Sequence, residues 1–214
     1  MPAATLSPAL IAQVDAYVAA DYPALAGLTE SAFRSLFDGL AVPNDNVPDA
    51  VAGQVPFVAV VTSALVPAEA RVPLLRLTTS DRPGILDRNH GEEGLAPYRP
   101  VDGLDVPDAP VYLLTGIDRG DEFRDVAPRD ALPVIASRGR TPLTIDEGLS
   151  LATVFPELLV KNHCFMLAGS TRGDKRVPAL WISERAPKLG WCFQGVPHSW
   201  LGVASARGRA GNRH

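Results

Sequence analysis

Four residues able to do chemistry cluster toward the C-terminal end of the chain: His163, Cys164, Cys192 and His198. Thiolate and imidazole are the groups that bind soft metals and that pair as nucleophile and base. Two cysteines are too few for a Cys-only zinc site or a disulfide scaffold. Adjacent residues of a strand point to opposite faces, so His163 and Cys164 cannot share one ion if that segment is extended. Cys192 and His198, with one of the other two, remain as the core of a metal- or thiol-dependent hydrolase-like enzyme. The competing reading makes both cysteines small apolar residues of the core.

His198 has a second context. It sits in Gly195-Val196-Pro197-His198-Ser199-Trp200, a loop of special backbone residues after a strand-like run. An imidazole beside serine and an indole suits ligand stacking or acid/base work, or it ties the loop down by hydrogen bonding. The leading functional expectation is non-catalytic binding, with His198, Trp200 and Cys192 contacting an unidentified small molecule or a protein partner. The groove would lie between this loop and the long irregular stretch at residues 78–110. That stretch carries Asp87, Arg88, His90, Glu92 and Glu93, either a lid or ordinary solvated charge. Trp181, Trp191 and Trp200 fill a core or line a groove.

Other constellations are weaker. The acidic run from Thr115 to Asp125 could hold a hard cation, but its mixture with Arg119 and Arg124 argues for ion pairing. Arg172-Gly173-Asp174 reads as a hairpin tip. The chain contains no Walker A sequence, Gly-x-Gly-x-x-Gly, His-Glu-x-x-His, Cys-x-x-Cys, EF-hand loop or Gly-x-Ser-x-Gly elbow. No metal and no cofactor is implied.

Formal net charge is −4 with a pI near 5.5, which gives no global cationic field for nucleic acid or anionic lipid. Arg207, Arg209 and Arg213 follow the last apolar run and could touch phosphate, but they read more simply as a solvated terminus. No apolar run reaches the roughly 18 residues of a membrane span, and the opening Met1 to Thr5 lacks a basic signal region. A cytoplasmic protein without membrane or nucleic-acid partners is expected.

The elements that must position these residues are legible in part. Leu10, Ile11, Val14, Tyr17 and Val18 recur at helical spacing after Ser7-Pro8, and a second helix follows Thr29 with Gly39 placed to end it. Residues 42–54 have loop composition. Phe57 to Val61 and Val111 to Leu114 read as buried strands, and Pro73 to Leu77 as a further short one. Pro128 to Ser137 suggests a short helical turn. Thr144 followed three residues later by Glu147 is a capping box opening a helix that Pro156 stops. His163–Ala168, Val177–Ile182, Leu189–Gln194 and Gly202–Ala204 read as four strands of an antiparallel meander.

The segments Gly116 to Phe123, Pro142 to Gly148 and Gly190 to Gly202 together resemble a family of uncharacterised actinobacterial proteins, over roughly the C-terminal half of the chain. The resemblance implies no activity, ligand or catalytic residue. The fold expected is α+β, N-terminal helices packed on a largely antiparallel sheet with a C-terminal meander: one domain at residues 1–206 and a flexible basic tail at 207–214.

Overall fold

A computed structural model of the chain describes residues 7–42 and 52–211. The opening residues, most of the 42–54 loop and Arg213 lie outside the described residues. Helix α1 (Pro8–Ala19) is started by Ser7, whose hydroxyl accepts from the Leu10 amide at 3.2 Å, with proline in the first turn where no N–H is needed. A short turn, α2 (Tyr22–Leu25), and α3 (Glu30–Ser35), capped by Thr29, complete the N-terminal layer. Tyr17, Tyr22, Phe33 and Phe37 pack between them in tilted contact, Tyr17 and Tyr22 at 4.8 Å and the two phenylalanines at 5.4 Å.

The layer rests on strands β1 (Gln54–Val61) and β4 (Val111–Asp118), with α4 (Ala68–Arg71), β2 (Ile85–Leu86) and β3 (Arg99–Pro100) between them in the chain. The two long strands pair antiparallel, Ala59 opposite Leu113 and Val60 opposite Tyr112. Because side chains alternate, Phe57, Ala59, Val61, Val111 and Leu113 pack against the helices, while Val58, Val60, Tyr112 and Leu114 enter a second core. Burial on both faces is why this sequence is a continuous apolar run rather than an alternating one. The strand expected at Pro73 to Leu77 is instead a 3-10 turn at Val72–Leu74, since proline cannot donate to a ladder. Residues 78–110 are ordered around β2, β3 and a second 3-10 turn at Arg88–His90.

Helix α5 (Pro128–Ser137) and strand β5 (Thr141–Pro142) precede α6 (Ile145–Val154), which opens on the Thr144–Glu147 capping box. Then come β6 (Cys164–Met166), β7 (Ser170–Thr171), β8 (Arg176–Ser183), β9 (Ala186–Phe193), β10 (Leu201–Val203), β11 (Ser205–Ala206) and β12 (Gly208–Ala210). One sheet runs β1-β4-β11-β5, with β12 also on β4; a second runs β10-β6-β8-β9-β2; β3 and β7 pair separately. The fold is α+β with mostly antiparallel sheets. Strands β6, β8 and β9 form the expected meander, and the β8–β9 turn places Glu184 and Arg185 at φ 53° and 62°, the two-residue geometry that matches strand twist.

Two expectations are corrected. The fourth strand does not continue the meander: β10 lies on the far side of β6 and parallel to it, because the 194–200 loop carries the chain across the sheet end. The stretch from residue 207 is not a free tail through its described part. Strand β12 pairs with β4, and Arg209 reaches inward to the Glu147 carboxylate at 2.5 and 2.9 Å, to Thr141 Oγ1 and to the Pro142 carbonyl. Glu147 is fully buried, held by the Thr144 amide at 2.7 Å and the Tyr112 hydroxyl at 2.8 Å, and a carboxylate so enclosed requires a cation. Composition marked these arginines as solvated; the buried acid recruits one of them.

Among the described residues the outer side of β1 pairs with no strand. Gln13 bonds the Phe57 carbonyl at 3.1 Å and the Ala59 amide at 2.7 Å, the Tyr17 hydroxyl donates to the Ala59 carbonyl, Ser150 accepts from the Val61 amide, and Arg71 donates to the Val61 carbonyl. Side chains from three helices thereby satisfy successive backbone groups of an edge strand.

Candidate functional site

The β8–β9 hairpin sets the site. Ala179 faces Gly190 and Trp181 faces Lys188, so the indole of Trp181 lies across a position without a side chain. A Cβ on Gly190 would meet that ring, at 2.8 Å from Cζ3. Trp181 touches Trp200 edge-on, at 5.9 Å and 73°, and Trp200 touches His198 at 5.5 Å and 61°. Trp191 and Phe193 form a second perpendicular pair at 5.0 Å. Edge-to-face contacts of this kind favour the quadrupoles of both partners and fix the rings relative to one another.

These rings line an open groove of about 350 Å³, closed on one side by Asp87 and Asn89 and rimmed by Val196 and Phe193. The Trp191 indole N–H donates to the Asn89 carbonyl at 3.0 Å, which ties the 3-10 turn at Arg88–His90 to the sheet. Cations cover two of the rings from outside the groove lining: Arg176 over Trp191 at 4.7 Å and Lys188 over Trp181 at 5.7 Å. Lys188 also pairs with Asp87 at 3.0 Å. Burial pushes the Asp87 carboxyl up, but the Asn89 amide and Lys188 outweigh it and hold the group below its ordinary value. The groove therefore presents no unmatched charge.

His198, Trp200 and Cys192, the residues that the sequence brought forward as ligand contacts, all line this groove. Their chemistry is quiet. The Cys192 thiol faces Met166 Sδ at 3.2 Å, and burial pushes it up to about 12, so it is a neutral thiol at physiological pH. No hydrogen bond joins it to His198 among the described residues. Loss of solvent pulls the His198 imidazole down from its ordinary value, and among the described residues its buried Nε2 has no hydrogen-bond partner. Neutral rings and a neutral thiol make a surface suited to apolar contact rather than to nucleophilic attack.

The sequence model of a family of unknown function, DUF5701, matches residues 16–212. The chain belongs to DUF5701. No curated protein and no solved structure matches this DUF5701 chain.

A second cluster lies apart from the groove. Asp121 receives two hydrogen bonds from Arg119, at 2.8 and 2.6 Å, and faces His163 Nδ1 at 2.9 Å. Burial raises the Asp121 carboxyl, but Arg119 and His163 overcome this and keep it low. Arg119 is spoken for on its other side by the Leu158 carbonyl, and Glu122 pairs with Arg138, so the 115–125 segment is an ion-pair network. Sequence reasoning weighed His163 and the acidic run separately and missed their pairing; the Arg-x-Asp spacing signals only the Arg119–Asp121 contact, and His163 comes from 42 residues further on. Cys164, next to His163, looks the other way: its thiol bonds the Val160 carbonyl at 3.4 Å and burial raises it. Among the described residues no group of three or more His, Cys, Asp or Glu side chains could hold a metal ion. None of the described helices is long and apolar enough to cross a membrane.

Proposed function

We propose that this DUF5701 protein binds a small, uncharged molecule with a flat apolar face in the Trp181–Trp191–Trp200 groove, without acting on it chemically. The observation that carries the reading is the convergence of three tryptophans, a neutral histidine and a neutral thiol on one concavity of about 350 Å³. That volume is at the small end of ligand sites, and lining by aromatic residues with a few polar groups is their usual composition. Asn89 and His198, which line the groove, are the polar residues that could orient a ligand. A charged ligand would find its counter-charge already engaged, since Asp87 and Lys188 neutralise each other.

The enzyme reading that used Cys192 and His198 is weighed down by the same geometry: a thiol raised to about 12 and out of hydrogen-bond contact with imidazole lacks activation. A second binding reading has its own support. Phe193 and Val196, 51% and 43% exposed, stand at the rim, where an aromatic or aliphatic side chain of a partner protein would cover them.

The test is a screen of neutral aromatic and alicyclic metabolites by tryptophan fluorescence and thermal shift, repeated on Trp200→Ala and Trp181→Ala. A groove ligand loses about tenfold or more in affinity in each variant, about 1.4 kcal/mol. Ligands that bind both variants as tightly as the parent protein would overturn the assignment. A Phe193→Ser variant that abolishes a protein contact but spares small-molecule binding selects the partner reading.

A further inference from the structure

The 87–89 side of the groove is tied to the sheet by the Asp87 amide on the Leu189 carbonyl and by Trp191 on the Asn89 carbonyl, and it ends on a buried histidine. His90 closes the 3-10 turn Arg88–His90, which begins at Asp87, whose carboxylate accepts from the Asn89 amide at 3.0 Å. Gly91 follows at φ 81°, a left-handed backbone conformation that glycine adopts without the strain of a side chain. His90 is only 2% exposed, yet among the described residues neither ring nitrogen finds a partner in good hydrogen-bond geometry, the Leu189 backbone being the nearest polar group. The hydroxyl of Tyr98, whose ring lies 5.7 Å away and edge-on, is orphaned too. Buried polar atoms are bonded in the great majority of cases, so three orphans in one place weaken the closed arrangement.

Two arginines stand against an imidazolium here. Arg172 donates to the His90 carbonyl at 3.2 Å, and Arg176 approaches from β8. The nearby acids are engaged: Glu93 with Arg172, Asp174 with Arg172 and Arg176, and Asp87 with Lys188. A proton on His90 would thus place a buried cation beside two arginines, with the nearby Asp87 carboxylate already shared with Lys188.

We infer that the Arg88–His90 turn is an acid-released latch on the aromatic groove: protonation expels the His90 ring, the turn swings about Gly91, and Asn89 releases Trp191. The regulatory meaning rests on the groove's being a ligand site; the latch itself does not. Burial holds the His90 imidazole below its ordinary value, Arg172 and Arg176 reinforce this, and the backbone at Leu189 and the Asp87 carboxylate oppose it without reversing it. The sign follows. An open latch takes up its proton near the ordinary imidazole value of about 6.5, a closed one only at lower pH, so closure is intact above that value. It weakens by up to about tenfold per pH unit as pH falls from there towards the closed-state value.

The experiment uses the whole chain between pH 8 and pH 5. Hydrogen exchange of the Trp191 indole N–H and of the 87–94 amides is followed, corrected for intrinsic rates, with far-UV circular dichroism as the check on global folding. Protection of these groups falls below pH 6.5 in the parent protein and is flat in His90→Gln and His90→Phe, the latter also removing two orphaned nitrogens. A flat parent profile, the same slope in both variants, or a loss of circular dichroism accompanying the loss of protection would each overturn the latch. Binding of N-phenyl-1-naphthylamine, an uncharged aromatic probe, measured in parallel, separates the two claims. A probe insensitive to Trp200→Ala brings down the groove reading, while the exchange data alone decide the latch.

Discussion

Replacing Arg209 by alanine removes the cation facing a carboxylate that has no exposure at all. In the Arg209–Glu147 pair the side chains are 5% and 0% exposed, so solvent cannot take over when the guanidinium goes. Stranding one member of such a pair costs about 3–5 kcal/mol. For a chain of this length each kcal/mol moves the melting temperature by roughly 2–4 °C, so a drop of roughly 6–20 °C is expected. Urea denaturation with an unchanged m-value, supported by calorimetry, measures it. Two companions sharpen the reading. Arg207→Ala, at an exposed neighbouring position, should stay within about 0.5 kcal/mol of the parent. Arg209→Met combined with Glu147→Gln should recover more than half of the loss, because no charge is then stranded. An Arg209→Ala protein within 1 kcal/mol of the parent, or a double variant no better than the single, would refute the claim that this arginine belongs to the core.

Two further outcomes follow from the groove. With its thiol raised to about 12, Cys192 should be in the thiolate form to about one part in ten thousand at pH 8, so iodoacetamide labels the native protein at least about a hundredfold more slowly than the urea-unfolded chain; equal rates would remove the argument against thiol chemistry. Gly190→Ala drives a methyl into the Trp181 ring, so about 1–3 kcal/mol of stability is lost and tryptophan emission shifts, and an unchanged emission spectrum would mean that the ring is not where the groove requires it.

How much of this was legible in the sequence depended on whether the signal was local. Ser7, Thr29 and Thr144 announce their helices because a hydroxyl capping an amide three residues on is a contact within one turn. Likewise Phe57 to Val61 declares a doubly buried strand, since burial on both faces imposes an apolar residue at every position. The groove was legible as a loop, His198 and Trp200, but its other half was not. Trp181 enters it only because Gly190 stands opposite Ala179 across the hairpin, a register that depends on where the turn falls. His90 was read as part of a charged loop, and nothing in that composition discloses that the turn buries its imidazole against Tyr98. Arg209 failed for the same reason: the acid that requires it is 62 residues earlier in the chain.

The row of side chains along β1 also determines where the sheet stops. An unpaired edge offers amides and carbonyls to any passing strand, including one from a second copy, and growth by such pairing has no natural end. Gln13 and Tyr17 from the first helix, with Ser150 and Arg71, occupy those valences one by one. The first helix, together with Ser150 and Arg71, thus works as a terminator of lateral assembly as well as a lid on the core.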